Sequence, residues 1–201
     1  THLIAKTLAT RTGLPWVADF RDPWTDVFYY HSLKRTRLAL ERDRRLERDV
    51  LQQADSVVTV SSHLVRLLQS KVKNDYHVIA NGFDPDDFRD IEPLPDDGKL
   101  HLVHAGHLAD TQNPQNLWRA LKQWQQQHPR QADKIQLDFY GSIHADVAAS
   151  LQQAGLQDRA VFHGYKPHKH IAAAMKRASV LFFVIADCSY AKGILTSRGG
   201  M

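Results

Sequence analysis

Apolar positions along the chain recur with two periods, about 3.6 and 2 residues, and segments of the two kinds alternate in a regular order. Residues 2–12 predict a helix with Leu3, Ile4 and Leu8 on one side, and Pro15–Phe20 a short apolar strand with a turn at Asp22-Pro23 behind it. Residues 33–53 predict a long, heavily charged helix whose inner side is Leu38, Leu46, Val50 and Leu51. Ser56–Val60 is a β-branched run of strand length. Ser61 or Ser62 caps a helix through about Lys71, and His77–Ala80 is a short strand ended by Asn81-Gly82. Residues 84–98 are acidic, contain three prolines and show no period, so they read as a linker.

The alternation then restarts. Strands are expected at Leu100–Ala105, Ile135–Tyr140, Ala160–His163 and, fully buried, Ser179–Ile185, with helices over Pro114–Gln127, 144–154 and 168–177 between them. Strands interleaved with helices of ten or so residues imply parallel sheets with right-handed crossovers. The chain therefore reads as α/β, with two parallel-sheet modules that meet near residue 90. In the second, three consecutive strands end in Gly106, Gly141 and Gly164. Ligands of open parallel sheets bind beyond the carboxyl ends of the strands, where a missing side chain lets backbone approach a phosphate. A tight turn is the alternative use of such a glycine.

Composition narrows this only a little. The 201 residues are 43% apolar, enough for a buried core, and no stretch approaches the roughly 20 apolar residues of a membrane span. The amino-terminal residues lack the long apolar region of a secretory signal, and a single cysteine, Cys188, excludes an internal disulfide, which fits a reducing cytoplasm. A net charge of +4 suits phosphate-bearing ligands, nucleic acid or an anionic membrane without choosing among them.

The ordered string Pro15-Trp16-Val17-Ala18-Asp19-Phe20-Arg21-Asp22-Pro23-Trp24 resembles a segment of bacterial group-1 (family four) glycosyltransferases. So do Ala54-Asp55-Ser56-Val57-Val58-Thr59-Val60-Ser61 and Val78-Ile79-Ala80-Asn81-Gly82-Phe83-Asp84 after it. His104-Ala105-Gly106, Phe139-Tyr140-Gly141, Val161-Phe162-His163-Gly164-Tyr165 and Ala178-Ser179-Val180 follow in that family's order, so the resemblance covers essentially the whole chain. It implies a GT-B-like fold of two Rossmann-like domains, both incomplete: residues 1–90 as the later part of the acceptor-side domain, 91–201 as the first part of the donor-binding domain. It also implies a retaining, metal-independent hexosyl transfer from a nucleotide sugar to a glycan or lipid-linked acceptor, in cell-surface polysaccharide synthesis, with no cofactor. As a piece of such an enzyme, the chain alone is expected to show no turnover.

In that chemistry the diphosphate leaves as an anion, and cationic side chains, backbone N–H groups and helix N-termini stabilise it. The resemblance puts Arg21 and Asp22 at the catalytic loop, with Arg21 where many relatives carry a histidine, or else as a pair that braces the turn before Pro23. It puts Gly106, His107, Gly141, Ser142, Gly164, Tyr165, Lys166, Lys192 and Arg198 around the donor nucleotide. Three departures stand out: His107 replaces an arginine, Gln112-Asn113 fall where a lysine is usual, and Tyr190 stands near the position of a glutamate that holds donor hydroxyls. These losses favour an alternative, a non-catalytic sugar-nucleotide binder or scaffold of the same fold.

The twelve histidines do not suggest a metal. His101, His104 and His107 alternate badly on a strand, and His163, His168 and His170 have no cysteine or carboxylate at ligand spacing. The basic helix 33–53, preceded by Trp24, Phe28, Tyr29 and Tyr30, could dock peripherally on the inner membrane, although its interspersed acids favour a solvated helix with pairs such as Glu41–Arg45. No nucleic-acid motif accompanies the charge, so nucleic acid is not an expected partner.

Overall fold

The computed structural model describes residues 1–27 and 35–185. The chain divides into two compact units, with the change between Phe83 and Asp84.

The first unit holds α1 (His2–Thr12), β1 (Val17–Phe20), α2 (Arg37–Gln53), β2 (Ser56–Thr59), α3 (Ser62–Lys71) and β3 (Tyr76–Val78). The strands form a parallel sheet in the order β1-β2-β3. Its core is Ala18 and Phe20 of β1, Val57 of β2, Val50 and Leu51 of α2, and Leu68 of α3. Helix starts follow capping chemistry: Thr36 Oγ1 accepts from Ala39 N at 3.2 Å, and Ser61 Oγ from Leu64 N at 3.2 Å.

Four expectations for this unit change. Leu3, Ile4 and Leu8 are exposed, and no residue of α1 is buried. Leu38 is 84% exposed, while the buried positions of α2 are Glu47, Val50 and Leu51. The charged face of α2 pairs Arg44 with Glu41 at 2.9 Å and Arg35 with Asp43, in place of a Glu41–Arg45 pair. Trp24 is not a free surface aromatic, because it packs against the core of the unit. Phe28, Tyr29 and Tyr30 lie outside the described residues.

The second unit holds α4 (Asp86–Arg89), β4 (Leu100–Ala105), α5 (Gln115–Gln127), α6 (Pro129–Ala132), β5 (Ile135–Tyr140), α7 (Ala145–Gln153), β6 (Ala160–Gly164), α8 (His168–Arg177) and β7 (Val180–Leu181). All pairings are parallel, in the order β6-β5-β4-β7. One face packs Leu137 and Phe139 against Trp118 of α5 and Val147 and Leu151 of α7; the other packs Val103 and Tyr140 against Ala174 of α8. Both faces are thus covered, which is why the strands read as nearly continuous apolar runs.

Two segments differ from expectation. Residues 91–98 are strapped onto α8: Leu94 N donates to Ala173 O at 3.1 Å, Lys176 Nζ to Ile91 O at 2.7 Å, and Arg177 Nη1 to Pro95 O at 3.3 Å. The run Ser179–Ile185 forms only a two-residue strand, and Val180 and Leu181 are about half exposed, because β7 is an edge strand. Among the described residues no helix is long and apolar enough to cross a membrane.

Candidate functional site

At the carboxyl edge of the first sheet, β1 delivers Arg21 and the loop after β3 delivers Asn81. Arg21 Nε donates to Asp19 at 3.0 Å and Nη1 donates to Asn81 Oδ1. The sheet thereby brings together two segments that are sixty positions apart in sequence. Arg21 does not pair with Asp22, so the turn-bracing pair expected as the alternative is absent; Asp22 is exposed and Pro23 beside it is buried.

The loop behind Asp22 is anchored by a side chain that sequence reasoning passed over. Glu47 of α2 is 1% exposed. Its carboxylate accepts from the backbone N–H groups of Trp24 (3.1 Å) and Thr25 (3.2 Å), from Thr25 Oγ1 (2.5 Å) and from Lys71 Nζ (2.7 Å). Lys71 also pairs with Asp26. A buried carboxylate is tolerated when its lone pairs are filled and a cation is at hand, as here. The available signal was its place one helical turn before Val50 and Leu51, on the inner stripe.

At the carboxyl edge of the second sheet, β4, β5 and β6 bring Gly106, Gly141 and Gly164 side by side. Gly106 N donates to Tyr140 O and Gly141 N to Gly164 O, each at 2.8 Å. Gly141 has φ +105°, and a Cβ there would lie 2.4 Å from Gly106 O. Only glycine fits this approach, so Gly141 serves backbone packing between adjacent strand ends, whereas a Cβ at Gly164 would meet nothing within 4 Å. The loops beyond stay together: Leu108 N donates to Ser142 O at 2.9 Å, His144 N to Leu108 O at 2.9 Å, and His107 Nδ1 lies 2.6 Å from Ser142 Oγ.

Tyr165 and Lys166 follow Gly164 and are exposed, Tyr165 by 85%. Gln112, at the position where a lysine was expected, turns inward: its Nε2 donates to Val184 O at 3.0 Å and its Oε1 accepts from Ala109 N at 3.2 Å. Asn113 takes the Trp118 indole N–H at 3.0 Å. Both are structural. Lys192 and Arg198, along with Tyr190 and Cys188, lie outside the described residues.

Beneath the same sheet sits a second buried carboxylate. Asp138 of β5 is fully buried and takes His101 Nδ1 at 2.6 Å, His163 Nε2 at 2.7 Å and Gln136 Nε2 at 2.9 Å. His101 Nε2 reaches Asp97 of the strap at 2.8 Å, and His163 stacks on Tyr140 with centroids 4.3 Å apart. Burial pushes the Asp138 carboxyl up, but the hydrogen bonds from His163, Gln136 and His101 outweigh it and hold it below the ordinary carboxylate range. Asp97 is held low first by its hydrogen bond from His101. Two of the twelve histidines are thus core partners of one aspartate, and among the described residues no group of three or more ligating side chains could hold a metal ion.

A cavity of about 330 Å³ near Lys6, Trp16, Gln53 and Asp55 lies at the amino ends of β1 and β2, the edge opposite to that where parallel sheets take ligands.

Residues 1–82 match the glycosyl transferase 4-like domain family. No curated protein sequence matches the chain significantly. Among solved structures, the chain is similar to HepE of Anabaena, solved in complex with UDP and glucose (TM-score 0.63, 15% identity, 90% of this chain and 49% of that one). It is also similar to sucrose-phosphate synthase from Thermosynechococcus elongatus (TM-score 0.62, 17% identity, 90% and 47%). WaaG, a glycosyltransferase involved in lipopolysaccharide biosynthesis, gives a TM-score of 0.56 at 12% identity over 84% of this chain and 50% of that one. At these identities the likeness is one of fold, and the chain spans about half the length of these neighbours. The parallel sheets, the covered faces and the glycine-ended strands agree with the two-domain fold of these glycosyltransferase structures, and within the chain residues 1–82 are a glycosyl transferase 4-like domain.

Proposed function

We propose that the chain is part of a retaining, metal-independent glycosyltransferase that moves a hexose from a nucleotide-diphosphate sugar to a glycan or lipid-linked acceptor in cell-surface polysaccharide synthesis. The second unit would take the donor at its carboxyl edge and the first would carry the acceptor side. The observation that carries this reading is the edge at Gly106, Gly141 and Gly164, cleared of side chains and flanked by His107 and Ser142. HepE, of the same fold, is described with UDP and glucose bound, which supports a nucleotide sugar as donor.

The chemistry follows from the groups present. A departing diphosphate accumulates negative charge, and donors fixed before the reaction stabilise it without reorganising. His107 is such a donor. Arg21, held by Asp19 and Asn81, would present its remaining guanidinium N–H groups to phosphate or acceptor, and Asp22 would hold a sugar hydroxyl. Tyr165 would stack on the base, with Lys166, Lys192 and Arg198 as further cations around the nucleotide. No cofactor is needed for this reaction. The protein would work in the cytoplasm, with α2 approaching the inner membrane where lipid-linked acceptors reside.

The second reading, a non-catalytic sugar-nucleotide binder, is favoured by the structural use of Gln112 and Asn113, which removes a cation from the donor loop. Calorimetry separates these from a protein that takes no nucleotide. Saturable heat with UDP or GDP supports both; no heat with either sinks both. Release of free hexose or transfer to an acceptor extract by a longer chain then selects the enzyme.

A further inference from the structure

Among the described residues the hydroxyl of Ser142 has one side-chain partner, the imidazole of His107 at 2.6 Å, and the pair joins the loops after β4 and β5 across the glycine edge. His107 is exposed, and among the described residues its Nε2 has no protein partner. The backbone N–H groups of His107 and Ser142 likewise donate to nothing among the described residues. A neutral imidazole has one donor and one acceptor nitrogen, and the bond made by one nitrogen fixes the role of the other. A serine hydroxyl can donate to Nδ1, and the Nε2–H form is also the intrinsically favoured neutral tautomer of a histidine side chain.

We propose that Ser142 is a positioning residue: its hydroxyl donates to His107 Nδ1, keeps the proton on Nε2, and so makes His107 an oriented N–H donor to a diphosphate oxygen at the glycine edge even when the imidazole is uncharged. This rests on the donor-site reading above and deepens it. An arginine supplies a fixed charge; here a hydroxyl supplies a fixed tautomer. The site then keeps a donor even with a neutral ring. Without the serine the ring turns freely and either nitrogen can carry the proton.

The test has two arms on the whole chain. Two-bond proton–nitrogen NMR at about pH 8 reads the protonation of each ring nitrogen directly, with His107→Ala identifying the signals. The expected result is a protonated Nε2 and a bare Nδ1 on His107. In Ser142→Ala the two nitrogen shifts move toward each other as the tautomers mix, and Ser142→Thr restores them. A protonated Nδ1 in the unsubstituted protein overturns the proposal, whatever the ligand.

The second arm titrates inorganic pyrophosphate at the same pH. Binding is expected to weaken about two- to tenfold in Ser142→Ala, the cost of ordering one free side chain, and to recover in Ser142→Thr. Equal binding by all three overturns the positioning role while leaving the donor site standing. No binding of pyrophosphate or UDP by the unsubstituted chain, with the tautomer as expected, overturns the donor-site reading and with it the anion half of this inference.

Discussion

At the scale of single residues, the second unit depends on two positions where the local environment permits one side chain only. Gly141 combines a positive φ with an approach of 2.4 Å to Gly106 O for any added Cβ. Gly141→Ala is expected to destabilise the unit by about 3 kcal/mol, from strain plus overpacking, which urea denaturation would measure. Asp138 is the other. Its carboxyl is held below its unfolded value near 3.9, so the folded form binds fewer protons there. Its contribution to stability is therefore present above about pH 4 and lost as pH falls through the lowered value; Asp97 acts in the same direction. Asp138→Asn is expected to cost about 3 kcal/mol at neutral pH, because the buried His101 and the partly buried His163 lose a charged partner. It is also expected to flatten the acid side of the pH–stability curve, and a slope unchanged between the two proteins would place the acid sensitivity elsewhere.

At the scale of elements, the loop after β1 is shaped by α2 and α3 through Glu47 and Lys71. Glu47→Ala is expected to destabilise the first unit by about 3 kcal/mol, by leaving Lys71 and two backbone amides without their buried acceptor. Hydrogen exchange at Trp24 and Thr25 should rise, while exchange in β2 follows only the global loss. Glu47→Gln keeps an acceptor oxygen for the amides, and its loss should be smaller. The order and kind of these elements were legible in the sequence because periodicity, capping and strand-end glycines are local signals: α1, α3, β4, β5 and α8 fall where their patterns put them.

What was not legible depends on distant partners. The inner side of α2 was read from its leucines, yet Glu47 is inside because Lys71 and the Trp24–Thr25 amides meet it, and Leu38 is outside. The segment 91–98 has no period of its own; its bonds to Ala173, Lys176 and Arg177 of α8 order it. Asp138 was visible as a carboxylate in the apolar strand Ile135–Tyr140, but not as the partner of His101 and His163. The strand at 179–185 shrank to two residues because apolar composition alone does not distinguish a central strand from an edge. At the site, the sequence named His107 and Ser142 separately as candidates, and only the fold shows that they touch.

At the scale of the molecule, each unit presents a carboxyl edge with its own chemistry: Arg21 with Asn81 in the first, and the glycine edge with His107 and Ser142 in the second. On the proposed reading a donor nucleotide would bind at the second, since a bare backbone edge and an oriented N–H suit a diphosphate. The direct measurement is a map of amide chemical shifts across the whole chain as UDP is added. Shifts that saturate together at residues 106–108, 141–143 and 164–166 are expected. Shifts confined to the first unit or to the cavity near Trp16 and Asp55, or no shifts at all, would contradict a nucleotide-sugar site at the glycine edge.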